Sequence, residues 1–428
     1  MRNKDYDNGT VRQAKTTGAS SRTPKLRFPE FRDGGEWEAK KLINICDINP
    51  DGEELPQHFF YIDLESVVDG KLALKTKIFR DDAPIRAQRL LKNGDVIYQT
   101  VRPYQKNNLF CEFDDKNKYV ASTGYAQLRA YDCNKFLYQI LHTDIFVNSV
   151  ILKCNGSSYP AINTSDLAKI IISFPQLPEQ QKIADCLFSL DNLISAQTQK
   201  LDALKAHKKG LMQQLFPAEG ENAPKLRFLE FHGSWIKRKL GEIAFIINAK
   251  AGDKKHVLMS VVSGVGLVSQ NEKFGREIAG NQYKNYFVIN KNDFAYNKSA
   301  TKEYPEGFIA MYSSKNTGAV PNSIFTCFRV HPDRVLAKYL DYQFWNNLHG
   351  KWIKKYITVG ARVHGSLNID NNDLLLLPVP IPDGELSLKE QQKIADCLSF
   401  LDNLINAHTQ KLDTLKTLKK GLMQQLFP

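Results

Sequence analysis

The chain has 428 residues, of which 42% are hydrophobic and 24% charged, and it carries a net charge of +12. Such a length allows two or three packed domains, and the composition argues against bulk disorder. No apolar run reaches the ~18 residues that a membrane span needs.

The seven cysteines are odd in number and contain no C-x-x-C pair. That points away from a disulfide framework or zinc site and toward reduced thiols in the cytoplasm. The excess of positive charge fits a polyanionic partner. It is unevenly placed: the net charge is −1 over 45–175 and +7 over 245–378.

Residues 1–23 are polar, lack the apolar core of a signal peptide, and read as a flexible tail. Pro24-Lys25-Leu26-Arg27-Phe28 follows, then Trp37 and Lys41-Leu42. From about 45 to 175 the chain mixes strand and helix signals, as expected of an α/β domain within 24–177. Asp95–Val101 and Ile170–Phe174 read as strands, and Asn163 reads as a helix cap before Leu167. After the first strand comes Arg102-Pro103-Tyr104-Gln105-Lys106-Asn107. Its Arg, Lys and Asn are side-chain types that read base edges and hold phosphates, and Tyr can stack. Tyr104 reads as a packing or stacking residue rather than a reader. An ordinary polar loop has the same composition, so both readings stand. The Gly156–Pro160 loop, with Tyr159, precedes the last strand of this region.

Residues 178–217 form the first long helix. Apolar residues recur in a 4-3 spacing: Ile183, Leu187, Leu190, Ile194, then Gln197, then Leu201, Leu204, then Lys208, then Leu211, Leu215. This is a coiled-coil seam, and at 1.5 Å per residue the rod is roughly 57 Å long. Pro178 suits a first helical turn. Gly210 weakens the last turns, and Pro217 stops them.

The frame then repeats. Pro224-Lys225-Leu226-Arg227-Phe228 precedes Trp235 and Lys239-Leu240, and a second domain is expected within 218–377. Its strands are Phe287–Ile289 and Ile324–Val330. Asn297, Lys298 and Lys302 lie in a polar loop comparable to the first. Arg362 and His364 lie in a Gly-bounded loop that matches Gly156–Pro160 in position. Residues 378–428 carry the second long helix, with Ser387-Leu388-Lys389-Glu390 as an expected capping box. Positions 179–217 and 390–428 differ at only seven of 39 places. Two matching seams pack most simply on each other as an antiparallel pair, which would relate the halves by a pseudo-twofold axis. Gln197 and His408 are polar seam positions that can fix register. His408 reads as a partly solvated seam residue, Cys186 and Cys397 as small packing residues, and Lys208 and Lys419 as snorkelling side chains.

Chemistry of its own is not legible in the chain. It has no Walker A motif, H-E-x-x-H, serine elbow or Asn/Asp-Pro-Pro-aromatic loop, and Gly264-Val265-Gly266 is only a fragment of a dinucleotide fingerprint.

The paired Pro-Lys-Leu-Arg-Phe and Trp elements resemble the specificity (S) subunit of type I restriction-modification enzymes. So do Leu240-Gly241-Glu242-Ile243 and the order of Gly-rich loop, strand and Glu-Gln-Gln-Lys-Ile-Ala helix. The resemblance covers nearly all of 24–428, with Lys389 standing where the first copy has Pro178. It implies an α+β protein with two α/β-type target-recognition domains on an antiparallel coiled coil, each domain binding one half of a split site in double-stranded DNA. The helices would set the gap and dock two methyltransferase (M) subunits, which recruit motor-nuclease (R) subunits. S-adenosylmethionine, ATP and Mg²⁺ would belong to those partners, with no cofactor in this chain. A type IIG-like restriction protein with fused catalytic domains and a coiled-coil scaffold that binds only protein are the alternatives.

Overall fold

The computed structural model describes residues 22–156, 158–218, 220–262, 264–278, 282–301, 304–356, 358–359 and 367–428. The tail expected at 1–23 lies almost wholly outside them, as do Lys302, Arg362 and His364.

The chain divides into two compact units: residues to Thr198 together with Lys411–Pro428, and Gln199–Gln410. This division cuts across the expected linear domains, because each long helix is shared. The first runs Leu177–Leu215 and the second Ser387–Leu426.

Within the first unit, Ile183, Ala184 and Leu187 share a core with Leu422, Met423, Leu426 and Phe427, and Asp191 pairs with Lys419 at 2.6 Å. Rising numbers on one helix meet falling numbers on the other, so the helices are antiparallel there. In the second unit, Ile394, Ala395 and Leu398 pack with Leu211, Met212 and Leu215, and Lys208 pairs with Asp402 at 2.5 Å. Lys208 and Lys419 are thus fixed by carboxylates instead of merely snorkelling. Gln197 is buried and His408 half-buried.

Among the described residues each unit has two four-stranded sheets with one shared plan. In the first unit the order is Cys46–Ile48, Tyr125–Ala130, Val96–Gln99, Leu109–Phe110. In the second it is Ala244–Ile246, Phe325–Val330, Phe294–Asn297, Phe308–Met311. The other sheets also correspond: His58–Ile62 pairs parallel with Tyr119–Ser122, as Val257–Val262 does with Gly318–Val320. The central strands Val96–Gln99 and Phe294–Ala295-Tyr296 are buried at every position, which suits continuous apolar runs over alternating ones.

A two-stranded ladder ties each unit to its helix start: Glu38–Lys41 with Ile171–Phe174, and Trp235–Lys239 with Pro378–Pro382. The second long helix therefore begins at Ser387, and residues 378–382 are a strand. The capping box expected at Ser387–Glu390 does not form. Ser387 Oγ donates to Pro382 O at 2.6 Å, and the Glu390 carboxylate is taken by Arg227.

That last contact is half of a repeated clip. Arg27 grips Glu179 with two bonds of 2.7 Å, and the Leu26 N–H donates to Gln425 O at 2.9 Å. Arg227 grips Glu390 at 2.7 and 2.8 Å, and the Leu226 N–H donates to Gln214 O at 2.9 Å. Each Pro-Lys-Leu-Arg-Phe segment thus joins the start of one helix to the end of the other.

Candidate nucleic-acid interface

In the first unit the strand Val96–Gln99 ends in a strained turn. Arg102 and Lys106 both adopt left-handed backbone angles, with φ of 54° and 55°, around a short turn at Pro103–Gln105. Non-glycine residues rarely take that region, and they hold it only when neighbours over-determine it. The neighbours here are identifiable. The Arg102 N–H donates to Pro160 O at 2.7 Å. Lys106 Nζ donates to His142 O at 2.9 Å and to Asp144 Oδ1 at 2.8 Å, which holds the Asp144 carboxyl below its ordinary pKa. Behind the turn, burial pushes the His142 imidazole down to about 4, so it is neutral at pH 7. Its Nδ1 faces Tyr138 O at 2.7 Å and its Nε2 faces Asn108 Nδ2 at 3.4 Å. The proton therefore sits on Nδ1, and the second nitrogen accepts from Asn108.

Above the turn lies a groove of about 450 Å³. Its polar lining is Glu65, Gln99, Arg102, Gln105, Asn107 and Tyr159. The Arg102 guanidinium stacks over the Tyr159 ring at 4.3 Å, and Tyr159 is 66% exposed. Three residues singled out from sequence, Arg102, Asn107 and Tyr159, are therefore brought together. Tyr104 is exposed beside the groove and does not line it. Lys106, a side-chain type that can hold phosphate, has its ammonium group held instead by Asp144 and a carbonyl. Gln99, Gln105 and Glu65 were not selected from sequence. The first two sit in the strand and loop that were recognised, but no local pattern marks Glu65, which is 37 positions before Arg102.

In the second unit Asn297 ends its strand, and its side-chain oxygen accepts from the Ser299 N–H at 3.1 Å. The Lys298 backbone is held on both sides, donating to Ile324 O at 2.9 Å and accepting from the Leu367 N–H at 2.8 Å. Its side chain is half-buried with no carboxylate partner among the described residues, and desolvation lowers its pKa. Close packing surrounds this turn. A Cβ on Gly307 (φ 81°) would lie 2.5 Å from Asn297 O. The buried His349 faces Gly307 O at 3.4 Å and is held down to about 4 by burial.

At the start of both central strands lies the same ion pair, a buried aspartate with a partly exposed arginine. Arg129 meets Asp95 at 2.8 and 3.0 Å, and Arg329 meets Asp293 at 2.6 and 2.8 Å. Each aspartate also accepts a backbone N–H from the turn before its strand, from Lys92 and Asn290 respectively. These aspartates fix where the central strand begins, and hence where its outgoing loop emerges.

The profile of the type I restriction modification DNA specificity domain matches residues 73–206 and 233–417. The chain is 21% identical over 392 residues to the type I restriction enzyme MjaVIII specificity subunit of Methanocaldococcus jannaschii, covering 88% of this chain and 86% of that protein. Its fold matches a type I restriction-modification system S subunit from M. genitalium, with TM-score 0.57, 14% identity, and coverage of 95% and 99%. A chain from a type I R-M system matches with TM-score 0.51, 19% identity, and coverage of 91% and 97%.

Proposed function

The chain belongs to the type I restriction-modification DNA specificity family, and from that premise we propose that each of its two units reads one half of a split DNA sequence. It is a specificity subunit. The alternatives of a fused restriction enzyme and of a protein-only scaffold are not favoured. The observation that supports a two-part reading is the pairing of equal scaffolds with unequal loops. Both units share one strand order, one Asp–Arg pair with a buried aspartate and one helix clip, but carry Arg102 with Tyr159 in one case and Asn297 with Lys298 in the other.

In this reading the chain supplies sequence choice and no bond-breaking chemistry. Two methyltransferase subunits dock on it, and motor-nuclease subunits join through them. S-adenosylmethionine, ATP and Mg²⁺ belong to those partners. The long helices hold the half-sites at a set spacing. With ~1.5 Å of rise per residue, their 39 and 40 residues give a rod longer than one turn of duplex.

The test is to express the chain with its methyltransferase partner and map methylated sites. Residues 45–175 are then exchanged for the same region of another specificity subunit. One half-site should change while the gap and the other half persist. Alteration of both halves would defeat the proposal.

A further inference from the structure

We propose that the groove of the first unit reads a G·C base pair from the major groove, with Arg102 and Gln105 as donors to the guanine. This rests on the half-site reading above and names the base which that unit prefers.

The argument is one of hydrogen-bond polarity. The Asn107 backbone N–H, which can only donate, faces Gln99 Oε1 at 3.3 Å. That fixes the orientation of the Gln99 amide. Its Nε2 therefore donates to Gln105 Oε1 at 2.9 Å. The oxygen of Gln105 is engaged from within, so its NH₂ group is the part left for a ligand. Arg102 has donors only. Among the described residues its guanidinium has no ion pair or hydrogen bond, and its carbon lies over the Tyr159 ring, 4.3 Å from the centroid. A guanidinium held over an aromatic ring keeps its fork of N–H donors for a bidentate acceptor. Asn107 offers one donor and one acceptor and is neutral in this balance. Among the described residues Glu65 is the only carboxylate in the lining.

Apart from Asn107 and the Tyr159 hydroxyl, each able to donate or accept, the groove presents two donor side chains and one strong acceptor. In the major groove guanine shows two acceptors, O6 and N7, and its cytosine partner shows the N4 amino donor. An A·T pair shows acceptor, donor, acceptor instead, and the donor would face Arg102 or Gln105 unfavourably. The turn is already pinned by the Arg102 and Lys106 backbone bonds, so little ordering accompanies binding.

The experiment uses the complex with the methyltransferase partner and duplexes bearing its mapped site. Each guanine is replaced in turn by 7-deazaguanine, which lacks N7, and by inosine, which keeps O6 and N7. Gln105→Glu, an exposed substitution that turns the outward donor into an acceptor, is measured in parallel. One guanine should respond to 7-deazaguanine and not to inosine. Gln105→Glu should weaken selection at that same half-site by about 5- to 150-fold, the range for a bidentate base contact. Selection at the other half-site should persist, which shows that the variant is folded.

The inference is overturned if the half-site that responds to Gln105→Glu has no G·C pair. It is also overturned if 7-deazaguanine is tolerated at every guanine of that half-site, or if Gln105→Glu changes neither half while wild-type selection is intact. Loss of sequence preference in the wild-type complex would instead defeat the half-site reading, and this inference with it.

Discussion

The outgoing turns of the two central strands show how one scaffold carries two surfaces. After Val96–Gln99, two left-handed residues bracket a short turn, and an arginine lies on a tyrosine contributed from 57 positions later. After Phe294–Asn297, an asparagine turn and a desolvated lysine take that place. Along the strands themselves the units agree closely: Asp95 with Arg129 matches Asp293 with Arg329, and the buried Tyr98 matches Tyr296. The agreement is greatest at the helices and vanishes at the loops. Parts that must pack on the shared helices are held alike, and parts that face outward are free to differ.

The largest expected effect tests the agreement at the helices. Removing one partner of a buried ion pair leaves the other uncompensated. Arg27 is 8% exposed and Arg227 19%. Arg27→Ala should therefore destabilise its unit by about 3 kcal/mol, and Arg227→Ala by less. Urea unfolding checks both. Equal costs would mean that the exposure difference does not matter.

A second substitution pair probes the disagreement at the loops. Arg102→Ala should relax selection at one half-site and Asn297→Ala at the other, each by about 1–3 kcal/mol. Competition between duplexes with single base changes measures this. If both substitutions relaxed the same half, the units would not read separately.

The two lysines sharpen the contrast. Lys298 has no carboxylate partner among the described residues, whereas Lys106 is tied to Asp144. Lys298→Met should reduce the slope of log K against log salt by about 1, as for the loss of one phosphate contact. Lys106→Met should leave that slope unchanged. A matching drop for Lys106 would show that DNA draws it away from Asp144.

The smallest effect concerns the helices themselves. A Cβ at Gly210 or Gly421 would meet no atom within 4 Å. Gly210→Ala and Gly421→Ala should each stabilise by about 0.5–1 kcal/mol, read as a raised unfolding midpoint. A loss of stability at either site would mean that the glycine is needed for something other than helix formation.

Much of this architecture is legible in the sequence because repetition marks it. The 4-3 spacing from Ile183 to Leu215 and its copy announce the helices, and Asn163 caps its helix as its position suggests. Arg27 and Arg227 were also visible as repeats, but their partners lie 152 and 163 residues away. Local rules therefore assigned Glu390 to a capping box. The common strand order of the two variable regions left almost no trace in sequence, since many apolar residues can fill a buried strand. The groove was half legible. Composition marked Arg102 and Asn107, but only folding shows that Tyr159 supports the first and that Asp144 holds Lys106.

Sharing each helix between two units also bears on synthesis. The first unit includes Lys411–Pro428, so 212 residues separate its two parts in sequence. Ribosomes add ~5–20 residues per second, which leaves the first unit incomplete for roughly 10–40 s. Through that interval Ile183, Leu187 and Trp37 lack Leu426 and Phe427. The unit made first is thus finished last, and the contiguous 199–410 unit is free to close before it.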